Sequence, residues 1–136
     1  MVIRLASGYQ IQTEECPLKV PGPDHPITIT HSGKHVRVSF AGITIADTTR
    51  ALELKEANYP AVFYIPRADA DMSALTRTAH HTHCPYKGDA NYFSIAAGGR
   101  SAENAVWTYE VPFPAVAEIK EHLAFYPNRV DEIAVS

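Results

Sequence analysis

The chain contains the stretch His80-His81-Thr82-His83-Cys84-Pro85-Tyr86-Lys87-Gly88-Asp89-Ala90-Asn91-Tyr92, which is centred on a single Pro/Gly turn. Pro85 presets φ for the first turn position, and Gly88 can adopt the left-handed conformation that ends a four-residue hairpin loop. We therefore predict that residues 76–84 and 89–97 form one antiparallel hairpin with Cys84 at its tip. The same stretch concentrates histidines, a thiol, an amine and two phenols, so it also marks the candidate site.

Outside this hairpin, apolar residues mostly alternate with polar ones, as they do in residues 27–30, 36–40, 52–55 and 107–111. Such alternation, rich in β-branched and aromatic residues, is typical of half-buried strands. Turn residues separate the segments, and the connections are short. The pattern predicts a mainly β fold, an antiparallel meander that forms a folded or partly closed sheet.

Two segments favour short helices, and the first 25 residues favour neither helix nor strand. Asp71 is an N-cap residue ahead of one apolar turn, and Pro114 precedes good helix formers up to Glu121. Residues 16–26 hold four prolines in eleven positions, which indicates an extended segment. We predict a Pro-rich N-terminal arm over residues 1–25 and a single β domain over residues 26–136.

Composition narrows the class of protein. A chain of 136 residues with 46% hydrophobic content fits one domain with a real core. The formal net charge of -3 disfavours a nucleic-acid partner, which usually requires a basic face. No apolar run reaches the roughly 20 residues of a membrane helix, and the start makes a poor signal peptide. Two cysteines are too few for a disulfide scaffold, so we expect a cytoplasmic protein with reduced thiols and no membrane partner.

The candidate catalytic residues are Cys84, Lys87 and Glu56. Cys84 and Lys87 are neighbours in the predicted loop, and an ammonium beside a thiol favours the nucleophilic thiolate. Alternatively, Cys84 fills a small apolar space and Lys87 only solvates the turn. Glu56 follows the alternating segment of Leu52 and Leu54, so it is a general base if it points inward and a surface charge if it does not.

The candidate ligand-binding residues are Arg67, Tyr64, Tyr86, Trp107 and Tyr126. Arg67 follows Tyr64-Ile65-Pro66 at a rigid corner and can clamp a carboxylate or phosphate, or else pair with Asp69 or Asp71. The aromatic residues are candidates for the walls of a pocket, with ordinary core packing as the alternative for Trp107 and Tyr126.

The histidines do not predict a metal site. On a strand, His81 and His83 face one way while His80 and Cys84 face the other, so the donors are split. Cys16 and His25 are expected to lie far away, in an unanchored arm. We predict no metal and no cofactor.

Several motifs together resemble a known family: Asp24–Ile29, Gly42–Thr48, Ala51–Ala57, Tyr59-Pro60, Tyr64–Arg67, Thr82–Ala90 and Phe125–Pro127. They are similar to those of the domain-of-unknown-function 427 family, common in bacteria, over about residues 24–135. The resemblance implies a compact, mostly β domain of the complex-sheet or β-tent type, loosely similar to methionine sulfoxide reductase B and the thalidomide-binding domain of cereblon. It also implies that Glu56, Arg67, Cys84 and Lys87, which fall on motif positions, share a site.

Two other properties linked to this family or its relatives lack their motifs here. A nucleotidyltransferase label has been attached to the family, but this sequence has no Gly-Ser motif with paired aspartates. The Cys-x-x-Cys zinc pairs of the tent-like relatives are also missing from this sequence, so the resemblance implies no zinc.

The sequence leaves three functions open. The leading hypothesis is a ligand pocket near the Cys84–Gly88 turn for a small anionic or nucleotide-like molecule, because Arg67 and Lys87 are suitable anchors. The first alternative is a thiol-dependent enzyme that uses Cys84 in acyl transfer or redox chemistry. The second is a protein-interaction module without catalysis. Whether the protein is an enzyme, and whether it forms a homodimer, stays open at this level.

Overall fold

The structure, a computed structural model, describes residues 18–136, so most of the predicted N-terminal arm lies outside the described residues. Strands dominate this part of the chain: β1 Ile27–His31, β2 Val36–Phe40, β3 Ile43–Thr48, β4 Leu52–Glu56, β5 Val62–Pro66, β6 Leu75–Cys84, β7 Gly88–Ala97, β8 Arg100–Tyr109, β9 His122–Phe125 and β10 Glu132–Val135. Short 3-10 helices connect some of them, at Arg67–Asp69, Met72–Ala74, Pro114–Ile119 and Pro127–Arg129. The boundary at residue 25 between arm and domain stays a prediction.

Within residues 18–136 the strands form two open antiparallel sheets. The larger sheet has seven strands in the order β1-β4-β5-β9-β8-β7-β6, and the smaller has three in the order β10-β2-β3. Neighbours in sequence pair along much of each sheet, but β9 enters between β5 and β8, and β10 returns to pair with β2. The predicted mainly β fold, with a folded antiparallel sheet and few short helices, is confirmed.

Each face of the larger sheet carries a cluster of buried apolar side chains. Because side chains alternate along each strand, Ile65, Leu123 and Phe125 share one face and pack with residues of the smaller sheet such as Val36 and Val38. The opposite face carries a second apolar cluster, with members that include Leu54, Tyr64, Tyr92, Tyr109 and Ala124. Val116 and Ile119, which are fully buried, join this second cluster from the Pro114–Ile119 segment.

The hairpin predicted around Pro85 is confirmed. β6 and β7 pair antiparallel, and Cys84 lies opposite Gly88 in the last pair before the turn. Gly88 has a φ of +109°, a backbone conformation that glycine alone adopts readily. Pairing extends to Gly88, so the loop has only the residues 85–87, one fewer than predicted. Lys87 closes this loop by donating its backbone N–H to the Cys84 carbonyl at 3.3 Å.

The two predicted helical segments are present as tight 3-10 turns. Asp71 caps the Met72–Ala74 turn, and its side chain accepts a hydrogen bond from the Ser73 N–H. The Pro114–Ile119 segment is broken at Val116, where φ is −127° and ψ is 31°. Among residues 18–136, no helix is long and apolar enough to cross a membrane.

Candidate functional site

A cavity of about 310 Å³ opens on the second face of the larger sheet. We call it the aromatic cavity, because six aromatic side chains of residues 18–136 line it: Tyr59, Tyr64, Tyr92, Trp107, Tyr109 and Tyr126. Glu56 and Lys87 are its charged lining residues within the described part of the chain. Strands β4, β5, β7 and β8 supply most of these side chains, since positions two apart on one strand face the same way.

Hydrogen bonds and ring contacts hold the aromatic side chains in place. The Trp107 indole N–H donates to the Tyr64 hydroxyl at 3.1 Å, and the two rings are perpendicular at 89°. The Tyr126 ring centre lies 4.5 Å from that of Trp107, and its hydroxyl lies 3.3 Å from the Tyr92 hydroxyl. A wall fixed in this way is shaped before any ligand arrives.

Three tyrosine hydroxyls of the cavity, those of Tyr64, Tyr109 and Tyr126, stay neutral at physiological pH. Burial raises the pKa of Tyr64 and that of Tyr109 well above the ordinary value. Burial likewise raises the pKa of Tyr126 to about 12. The Tyr109 hydroxyl belongs to a side chain that lines the cavity, and it has no hydrogen-bond partner among residues 18–136.

One end of the aromatic cavity is formed by a Glu56–Lys87 ion pair that His25 completes. Glu56 is the last residue of β4, and Lys87 comes from the hairpin loop, where it is only 8% exposed. The Lys87 ammonium donates to Glu56 Oε1, and His25 Nε2 lies 2.7 Å from Glu56 Oε2. Burial by itself raises the pKa of Glu56, but the hydrogen bonds and charges of Lys87 and His25 outweigh it and hold that pKa below its usual value.

The position of His25 corrects the expectation that it lies far away in an unanchored arm. The segment before β1 is held against the hairpin loop, since the Lys19 N–H donates to the Pro85 carbonyl at 2.8 Å. The His25 ring stacks on Tyr86 with 3.9 Å between ring centres and 9° between planes. In the sequence, the Asp24-His25-Pro26 motif marks His25, but the motif does not predict that His25 contacts Glu56.

Cys84 and Tyr86 flank the cavity without lining it. Cys84 is half-buried and packs beside the apolar cluster of the second face. The Lys87 ammonium, expected to act on this thiol, contacts Glu56 instead. Tyr86 covers the outer side of His25. The roles predicted for both residues stay predictions.

Arg67 lies in a separate cluster. It donates to the Glu110 carboxylate at 2.9 Å and to the Thr108 hydroxyl at 3.3 Å, and does not pair with Asp69, which binds Arg50. Arg67 also lies outside the lining of the aromatic cavity. The structure therefore brings Glu56 and Lys87 together with Tyr64, Trp107 and Tyr126, and it places Arg67 elsewhere.

The Glu110 cluster predicts a pH-dependent contribution to stability. The hydrogen bond from Arg77 is the main cause that holds the pKa of Glu110 below its usual value. Burial acts in the opposite direction and raises this pKa, whereas Arg67 lowers it further. A lowered carboxyl pKa stabilises the fold above the unfolded value of about 4.3, and the contribution disappears as the pH falls below it. Glu110→Gln is expected to cost about 1 kcal/mol at pH 7 and much less at pH 3, measured by urea unfolding. An equal cost at both pH values would contradict this account.

The histidines of β6 lie along the hairpin and do not converge. His83 Nδ1 lies 2.7 Å from Asp89, the His80 ring meets the Tyr92 ring edge-on at 4.5 Å, and His81 is exposed. Across residues 18–136, no group of three or more His, Cys, Asp or Glu side chains is arranged to hold a metal ion.

These features define a mainly β domain with an aromatic cavity that a buried ion pair closes at one end. The family model described as "Domain of unknown function (DUF427)" matches residues 28–136, well over half of the chain. The chain belongs to this family. No curated protein matches it.

Proposed function

We propose that this protein binds a small, planar, uncharged heterocycle in the aromatic cavity, of the kind that forms the base of a nucleotide-like molecule. One observation carries the proposal: six aromatic side chains and the Glu56–Lys87 pair line the same cavity of about 310 Å³. Ligand pockets usually span about 300–1,000 Å³, so this volume suits a compact ligand of one or two rings. Aromatic walls favour a flat molecule, since rings pack by offset stacking and by edge-to-face contact.

The polar end of the cavity selects for a paired donor and acceptor on the ligand. The Lys87 ammonium offers N–H donors, and the Glu56 carboxylate next to it offers acceptor lone pairs. A cyclic amide carries a carbonyl beside an N–H. Its carbonyl can accept from Lys87 while its N–H donates to Glu56. The Tyr109 hydroxyl, which has no hydrogen-bond partner within residues 18–136, adds a third group that can donate or accept.

The same geometry argues against a phosphate as the anchored part of the ligand. Glu56 already neutralises Lys87, and an added anion would face the carboxylate as well as the ammonium. Arg67, the second anchor expected from the sequence, forms its ion pair with Glu110 outside this cavity. The proposal therefore keeps the nucleotide-like ring and gives up the anionic group as the source of affinity.

The proposal is tested with hypoxanthine, inosine and inosine monophosphate, because the ring carries the required C=O and N–H edge. Trp107 is the single tryptophan of the chain and lines the cavity, so its fluorescence reports binding directly. We expect saturable quenching by hypoxanthine and inosine, and no tighter binding of the monophosphate. Tyr109→Phe should weaken hypoxanthine about tenfold by removing one hydrogen bond.

Tyr86→Phe is the matched control, because it removes the same atom from a ring outside the cavity. It is expected to leave hypoxanthine affinity unchanged. The proposal fails if none of the three compounds quenches Trp107 at millimolar concentration. Binding of the monophosphate ten times more tightly than inosine would show instead that phosphate is the anchor.

The other two functions gain no comparable support. Within the described residues, no imidazole or ammonium group hydrogen-bonds to the Cys84 sulfur, and the Lys87 ammonium donates to Glu56 instead. A cytoplasmic location is part of the proposal, because free thiols such as Cys84 persist in reducing compartments.

A further inference from the structure

A second cavity, of about 290 Å³, lies on the opposite face of the larger sheet, where the smaller sheet packs against it. We call it the apolar cavity. Within residues 18–136 its lining is made of hydrocarbon and aromatic side chains, among them Val36, Val38, Phe63, Ile65, Phe125 and Ile133. The one polar hydrogen in this set, the indole N–H of Trp107, is already bonded to Tyr64.

The two cavities meet at Val62 and Trp107, which line both. This contact is possible because β9, the strand between β5 and β8, is short. It pairs with β5 only through His122 and Leu123, opposite Pro66 and Ile65, so its pairing does not reach Val62. At that end of the sheet the chain turns at Pro127, and the linings of the two cavities adjoin at the side chains that they share.

We propose that the apolar cavity holds an alkyl tail of the ligand whose ring occupies the aromatic cavity. This inference rests on the proposed function and adds to it the chemical class of the ligand: a planar heterocycle with a hydrocarbon chain of about four to six carbons. A cavity without polar partners holds water poorly, whereas hydrocarbon fills it favourably. Burying a methylene is worth about 0.8 kcal/mol, or roughly fourfold in affinity for each carbon.

The test compares hypoxanthines that carry either a methyl or a pentyl group at C8 or at N9, positions that leave the C6 carbonyl and the N1–H intact. Dissociation constants are measured by Trp107 fluorescence on the full chain. At one attachment point or more, the pentyl compound is expected to bind at least about 30-fold more tightly than its methyl analogue, which allows for incomplete burial of the four added carbons.

Two variants locate the tail. Ala61 and Val135 line the apolar cavity but not the aromatic one. Because neither residue is buried, a larger side chain at either position is compatible with folding. Ala61→Phe and Val135→Phe are each expected to abolish most of the pentyl advantage. Both should leave the affinity for the methyl compounds within about twofold of the native value.

Equal binding of pentyl and methyl compounds at both positions would overturn the inference while leaving the proposed function intact. A pentyl advantage that survives both substitutions would also overturn it, because the chain would then lie elsewhere. If no hypoxanthine binds at all, the proposed function fails and the inference falls with it.

Discussion

Replacing Lys87 by methionine is expected to lower the free energy of unfolding by about 2–4 kcal/mol. Methionine keeps the length and apolar part of the side chain, so the change removes mainly the charge. Glu56 would then remain as a carboxylate in a largely buried place, with His25 as its one charged or hydrogen-bonding side-chain partner among residues 18–136. An ionised group buried without its counter-ion is among the most destabilising features in a folded protein.

The matched control is the double variant Glu56→Gln, Lys87→Met, which removes both charges. We expect it to recover much of the lost stability, because an uncharged pair has no unpaired ion to bury. We measure urea unfolding for the native chain, for Lys87→Met, for Glu56→Gln and for the double variant. The four free energies of unfolding give the coupling energy between Glu56 and Lys87. Costs that simply add would contradict the buried ion pair seen here.

Leu123→Ala is expected to cost about 3–5 kcal/mol. Leu123 is fully buried at the centre of β9, paired with Ile65 on one side and Thr108 on the other. Truncation leaves a void in the core between the two sheets, where close packing prevents full collapse. The loss should show as a lower urea midpoint with an unchanged m-value.

Leu18→Ala provides the comparison, because Leu18 is 57% exposed and the same atoms are deleted there. A change of less than about 0.5 kcal/mol is expected at that position. A cost below about 1 kcal/mol for Leu123→Ala would show that β9 does not lie in a packed core between β5 and β8.

The parts of the fold that the sequence predicts well are those fixed by neighbouring residues. Pro85 and Gly88 impose the turn on their own backbone, so the hairpin of β6 and β7 could be predicted with Cys84 at its end. The insertion of β9 between β5 and β8 could not be predicted from the sequence. It depends on how the apolar faces of β5 and β9 pack together, and these strands are separated by more than 50 residues of chain. Alternation shows which side chains share a face, but it does not show which strand becomes the neighbour.

The same difference between local signals and contacts across distant parts of the chain explains which site residues could be predicted. Glu56 is two residues beyond Leu54, so strand parity correctly places it on the side of the aromatic cavity. Arg67 is three residues beyond Tyr64, and an odd spacing puts it on the opposite side, with Thr108 and Glu110. Parity was thus available to separate Arg67 from Tyr64, whereas nothing local indicated that His25 would reach Glu56.

The NMR spectrum of the chain with ring-labelled tyrosine shows whether a planar ring binds in the aromatic cavity. Seven tyrosines give separate signals: Tyr59, Tyr64, Tyr92, Tyr109 and Tyr126 line the cavity, Tyr86 lies outside it, and Tyr9 precedes the described residues. On titration with hypoxanthine we predict shifts in the signals of Tyr64, Tyr109 and Tyr126, while that of Tyr86 stays constant. A shift of Tyr86 with those three unchanged would place the ligand outside the cavity and contradict the account.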